Sequence, residues 1–108
     1  MTKKQINLAV QELKSKLRTE FGEDVELRIF GSAIRGDYRK HSDIDVLVLL
    51  PGKVDNAKEE KVFDVAYDIE LKHGVIFGTI VYTRGFWSSE VAASMPLYQN
   101  IEREGIAV

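Results

Sequence analysis

Residues 25–50 hold the strongest constraint on this chain: two stretches of β-type sequence joined by a polar connection that starts on a glycine and ends on two aspartates. Val25 to Phe30 alternates polar and apolar side chains, and Ile44 to Leu50 is almost entirely Val, Ile and Leu, so both read as strands. Between them lie Gly31-Ser32, a spacer of ten residues, and then Asp43-Ile44-Asp45. Side chains alternate along a strand, so Asp43 and Asp45 project from one face while Ile44 enters the other. A glycine turn after one core strand therefore meets a pair of carboxylates at the start of the next.

The rest of the chain supplies a scaffold for that unit. Ile6, Val10, Leu13, Leu17 and Phe21 recur at helical intervals, which predicts a helix over residues 3–21 stopped at Gly22. Pro51-Gly52 breaks the chain, and Asp55 or Asn56 can cap a helix that buries Val62, Val65, Ala66 and Ile69 and ends at Gly74. Val75 to Thr83 reads as a third strand, with Gly78 marking a bulge or a close backbone approach. Arg84-Gly85 reads as a turn, with Phe86 and Trp87 behind it either exposed at an interface or at the edge of the core. Ser94 and Pro96 open a short last helix that stops at Gly105. The order is helix, strand, strand, helix, strand, helix, which predicts an α+β domain: a small mixed sheet with helices packed on one face.

At 108 residues the expectation is a single domain spanning residues 1–108. A net charge of −2 argues against a protein that works by covering DNA or RNA phosphates. The absence of cysteine excludes disulfides, thiolate metal sites and cysteine nucleophiles. With no apolar run of signal or membrane-span length, a cytoplasmic protein is expected.

The motif residues suit phosphate and metal chemistry. Gly31 lets backbone N–H groups approach phosphate oxygens without a Cβ in the way, and Ser32 adds a hydroxyl donor. Adjacent carboxylates at Asp43 and Asp45 repel unless a cation offsets them, and hard oxygen ligands with phosphate co-ligands are what Mg²⁺ or Mn²⁺ prefers. Arg35, three residues after Ser32, can offer its planar fork to a triphosphate, and Ser42 either bonds phosphate or caps the strand. Gly-Ser is also a common turn dipeptide and Asp a common strand flank, so each half of the motif alone says little. Arg39, Lys40 and His41 form a short basic cluster nearby, read equally as a solvated loop; His41 and His73 lack metal-ligand spacing.

Gly31-Ser32, ten residues, then Asp43-x-Asp45 resembles the signature of the polymerase β-type nucleotidyltransferase superfamily, and the short length resembles its minimal (MNT) members. The resemblance implies a triphosphate held by Gly31 and Ser32, Mg²⁺ held by Asp43 and Asp45, and transfer of a nucleoside monophosphate, with ATP as donor, to an acceptor hydroxyl. It also implies a partner that brings the acceptor: a HEPN-type helical protein of a toxin–antitoxin pair, an RNA, or another copy in a homo-oligomer. That family commonly adds a third carboxylate on the following strand. Here that strand, Val75 to Thr83, has no acid, which leaves Glu70, and behind it Asp68, as candidates from the preceding helix. A second expectation follows from that departure: a catalytically weakened module that binds a nucleotide or a partner and acts by contact.

Overall fold

The computed structural model describes residues 2–31, 34 and 43–108. Helix α1 spans Lys3–Phe21 and opens on a capping box in which the Thr2 hydroxyl accepts the Gln5 N–H and the Gln5 side chain accepts the Thr2 N–H. Its stripe of Ile6, Ala9, Val10, Leu13 and Leu17 is buried, and it ends at Gly22 with φ of 102°. Strands β1 (Glu26–Phe30) and β2 (Ile44–Leu50) follow. The Asp55 side chain then caps helix α2 (Asn56–His73), which stops at Gly74 in the left-handed conformation. Strand β3 covers Phe77–Thr83.

The sheet order is β3-β2-β1-β4, with β1 antiparallel to β2, β2 parallel to β3, and a last strand β4 (Ile106–Ala107) antiparallel to β1. Parallel β2 and β3 need a crossover, and α2 provides it. The inward residues Ile44, Val46, Val48 and Leu50 join the apolar stripes of α1 and α2 in one core. Leu47 and Leu49 point the other way, into a smaller cluster with Trp87 and Ile101. The two long helices thus share one face of the mixed sheet, and residues 84–104 cover part of the second.

That cover departs from the expected turn and capped helix. Arg84-Gly85 begins a one-turn helix, α3 (Arg84–Trp87), because the Thr83 hydroxyl accepts the Phe86 N–H; Ser89 likewise caps α4 (Glu90–Ala93) through the Ala92 N–H. Ser94 closes α4, its hydroxyl donating to the Val91 carbonyl, instead of opening the last helix. Helix α5 (Pro96–Glu104) has Met95 at its N-cap with no side-chain cap, and the proline lies in its first turn. Trp87 is core, 4% exposed, with its indole N–H donating to Glu102 Oε1 at 2.9 Å. Phe86 is half-buried and stacks on Tyr82.

Candidate functional site

Asp43 and Asp45 stand at the start of β2 on the face shared with Leu47 and Leu49, while Ile44 between them is fully buried beneath the helices. Asp43 is exposed and Asp45 half-buried. The pair therefore lies on the second sheet face, at the end of β2 that the last turn of α5 also reaches. On one side of β2, Phe30 is the register partner of Asp45, and Gly31 follows it with φ of +78°, a conformation that L side chains rarely adopt. The Ile34 N–H donates to the Gly31 carbonyl at 3.2 Å, so the chain turns immediately.

On the other side, Gly78 of β3 is the register partner of Asp45. The two glycines enclose that carboxylate. A Cβ on Gly31 would overlap Asp45 Oδ2, and a Cβ on Gly78 would lie 2.8 Å from Asp45 Oδ1 and 3.9 Å from Asp43 Oδ2. Gly78 is thus a close approach with no bulge, since the β2–β3 register runs unbroken from Phe77 to Thr83. The sequence motif and a glycine outside it build one notch, with an acid pair on its floor.

Glu70 does not join the acid pair. It lies on α2, and its Oε2 accepts the Phe77 N–H at 2.8 Å, which satisfies an amide at the start of the edge strand. Asp68 is exposed on α2 and lines the groove against α1. Among the described residues, no three His, Cys, Asp or Glu side chains gather as a metal cluster. Asp43 precedes Ile44 by one residue and Ile76 precedes Phe77 by one, so the parallel register puts Ile76, 53% exposed, opposite Asp43. Ser32, Arg35 and Ser42, with the Arg39-Lys40-His41 cluster, lie outside the described residues.

One acid at this end of the sheet escaped the sequence reading. Glu104, in the last turn of α5, accepts the Gly31 N–H on Oε1 at 3.3 Å. Two turns of structure bring it there: Glu102 accepts from both the Trp87 indole N–H and Arg28 Nη1, tying α5 to β1, and β4 then pairs with Arg28 and Ile29. The Trp87 hydrogen bond, followed by the Arg28 contact, holds the Glu102 carboxyl below its ordinary pKa of 4.5 against the opposing effect of burial. Only the strand pairing after Gly105 could have signalled Glu104, and two residues are too few to read as a strand.

A family model described as the nucleotidyltransferase domain matches residues 10–93, which takes in the second half of α1, the acid pair, both glycines and α4. The chain belongs to the nucleotidyltransferase domain family. It is 35% identical over 102 residues to a Methanocaldococcus jannaschii protein named "Putative protein adenylyltransferase MJ0604", covering 94% of this chain and 92% of that one. A second protein of that organism, "Putative protein adenylyltransferase MJ0141", is 29% identical over 76 residues, or 69% of this chain and 77% of its own length. Among solved structures, a toxin–antitoxin crystallised with AMP-PNP superposes with a TM-score of 0.60 at 18% identity, covering 99% of this chain and 72% of that one. This likeness is one of fold and takes in nearly the whole chain. No helix among the described residues is long and apolar enough to cross a membrane.

Proposed function

We propose that this nucleotidyltransferase domain moves AMP from ATP to a hydroxyl of a partner protein or RNA, with Gly31 in the phosphate cradle and Asp43 and Asp45 as the ligands of Mg²⁺. The observation that carries the reading is the Asp45 carboxylate set between Gly31 and Gly78, with Asp43 on the same face. A notch that a Cβ on either glycine would enter, floored by two hard oxygen donors, fits a divalent cation with phosphate co-ligands. When bound, the cation offsets charge on the phosphate oxygens and on the leaving group. Asp43 and Asp45 orient it, and the Gly31 turn presents backbone N–H to the triphosphate. The acceptor oxygen bonds to the α-phosphorus, the bond to the bridging oxygen breaks, pyrophosphate leaves, and the hydroxyl proton goes to base or solvent. Ser32, Arg35 and Ser42 are proposed to add phosphate donors from the connection between β1 and β2.

On this reading a partner presents the acceptor. Relatives named for protein adenylylation and a structural neighbour named as a toxin–antitoxin support a protein acceptor, and the family resemblance makes a HEPN-type toxin the first partner to test. The absence of an acid trio among the described residues favours the second reading, a nucleotide-binding module that neutralises its partner by contact. Incubation with α-labelled ATP and Mg²⁺, with and without the co-purifying partner, separates them. Label on protein or RNA supports transfer; Mg-ATP binding without label in every arm supports the contact reading.

A further inference from the structure

We propose that the outer stripe of α2, formed by Phe63, Tyr67 and Leu71, is the dock for the protein acceptor, which lays a basic amphipathic helix along it. The proposal rests on the functional reading above, since it names the surface that takes the partner. The three side chains are 43%, 58% and 67% exposed and recur at intervals of four, so they form one row on the helix while Val62, Ala66 and Ile69 serve the core from another. Single exposed apolar residues are ordinary, but a contiguous row of them marks a contact surface. Glu60, Asp64 and Asp68 make a second row alongside, each three residues before its apolar neighbour. All three are exposed, and among the described residues none of them has an ion-pair partner. The lysines of α2 turn elsewhere: Lys58 donates to the Lys53 carbonyl, Lys61 pairs with Glu20 and Lys72 with Glu12. An apolar row bordered by uncompensated acids is complementary to a helix with an apolar face and Lys or Arg beside it, because a ridge of residues four apart packs into the groove of a second helix. A second copy of this chain would bring the same acids to the contact, so like charge opposes self-association. The dock is also placed to serve the site. Glu70 lies three residues after Tyr67 and seven after Phe63, on the same side of α2, and it holds the Phe77 N–H of the edge strand β3. Phe77 in turn is the register partner of Ile44, the residue between the two aspartates. A partner gripping the stripe therefore passes the start of β3 to bring its hydroxyl to the acid pair.

Fluorescence anisotropy with three synthetic helical peptides tests the dock. One carries a leucine row flanked by lysines, the second has glutamates in place of the lysines, and the third keeps the lysines but has serines in place of the leucines. Wild type should bind the first at least about tenfold tighter than either of the others. Tyr67→Ala with Leu71→Ala should weaken that binding at least about tenfold, whereas Glu60→Lys with Asp64→Lys should reverse the preference toward the glutamate peptide. Both double variants change exposed positions, and both should bind Mg-ATP as wild type does. Equal binding of the first two peptides by wild type, or undiminished binding by the alanine variant, overturns the dock. So does a dimer of wild type in sedimentation equilibrium that the alanine variant abolishes. Should the alanine variant fail to fold, the charge reversal decides: an unreversed preference overturns the dock. A dock that fails while Mg-ATP still binds leaves the functional reading standing, whereas a protein that binds the leucine and lysine peptide but no Mg-ATP overturns that reading and the acceptor's role with it.

Discussion

Gly78→Ala should damage nucleotide chemistry while leaving the fold nearly as stable as before. Gly78 is not in the left-handed region, so alanine meets no backbone strain there, and replacing a mid-strand glycine recovers about 0.5–1 kcal/mol of conformational entropy. Against that gain stands a Cβ 2.8 Å from Asp45 Oδ1, closer than real Cβ atoms come, at the usual overpacking cost of about 1–3 kcal/mol. The carboxylate ends a short side chain and can swing aside, which puts the overpacking cost at its low end and the net change within about 1 kcal/mol of zero. The acid cannot swing without leaving its place beside Asp43 and the Gly31 turn. A displacement approaching 1 Å in a positioning group can cost about a hundredfold in rate, so Mg-ATP affinity should fall at least about tenfold and transfer further. Thermal melts and Mg-ATP calorimetry on the same preparations measure both. Wild-type affinity in a well-folded Gly78→Ala protein would refute the idea that the glycine exists to admit Asp45.

Glu70→Ala should lower stability by about 1–2 kcal/mol, the cost of leaving the Phe77 N–H without its acceptor, yet keep the transfer rate per folded molecule; a large rate loss at unchanged melting temperature would return Glu70 to the chemistry. Ile76→Asp places a carboxylate opposite Asp43 at an exposed position, so it should cost no more than about 0.5 kcal/mol and raise both Mg²⁺ affinity and transfer, as measured by calorimetry and label incorporation. Glu12 of α1 accepts from Lys72 and His73 of α2, and those hydrogen bonds lower its carboxyl pKa from 4.5. A carboxyl whose folded pKa is depressed stabilises above 4.5 and loses that contribution as pH falls through the lower folded value. Glu12→Gln should therefore lose less melting temperature than wild type between about pH 6 and pH 3. Parallel acid limbs in the two proteins would contradict this.

The parts of the fold that follow from local pattern were legible in the chain. Helix α1 has an unbroken apolar stripe and a glycine stop, and α2 has Asp55 before it and Gly74 after it, so each carries its boundaries in sequence. The acid pair was placed on one strand face because a strand alternates whatever surrounds it. What could not be read are features set by long-range contact. Gly78 announced a close approach without naming Asp45 as the atom approached. The single-turn helices α3 and α4 depend on one serine or threonine cap each, too short for any periodicity to register. Glu104 reaches Gly31 across 73 residues, through α5 packing to which Trp87, Ile101 and the Arg28–Glu102 pair contribute. Glu70 invited a catalytic reading from proximity in sequence, and the amide of Phe77 claims it instead.

The central claim is that Asp43 and Asp45 make nucleotide binding depend on Mg²⁺. The most direct measurement is calorimetric titration of ATP, with and without Mg²⁺, into wild type and into a protein carrying Asp43→Asn with Asp45→Asn. Removing two neighbouring negative charges relieves repulsion in the free protein, so the double variant should fold at least as well as wild type. Wild type should bind ATP only with Mg²⁺ present, and the double variant should lose that Mg²⁺-dependent binding. Mg²⁺-dependent affinity that survives intact in the double variant would contradict the claim.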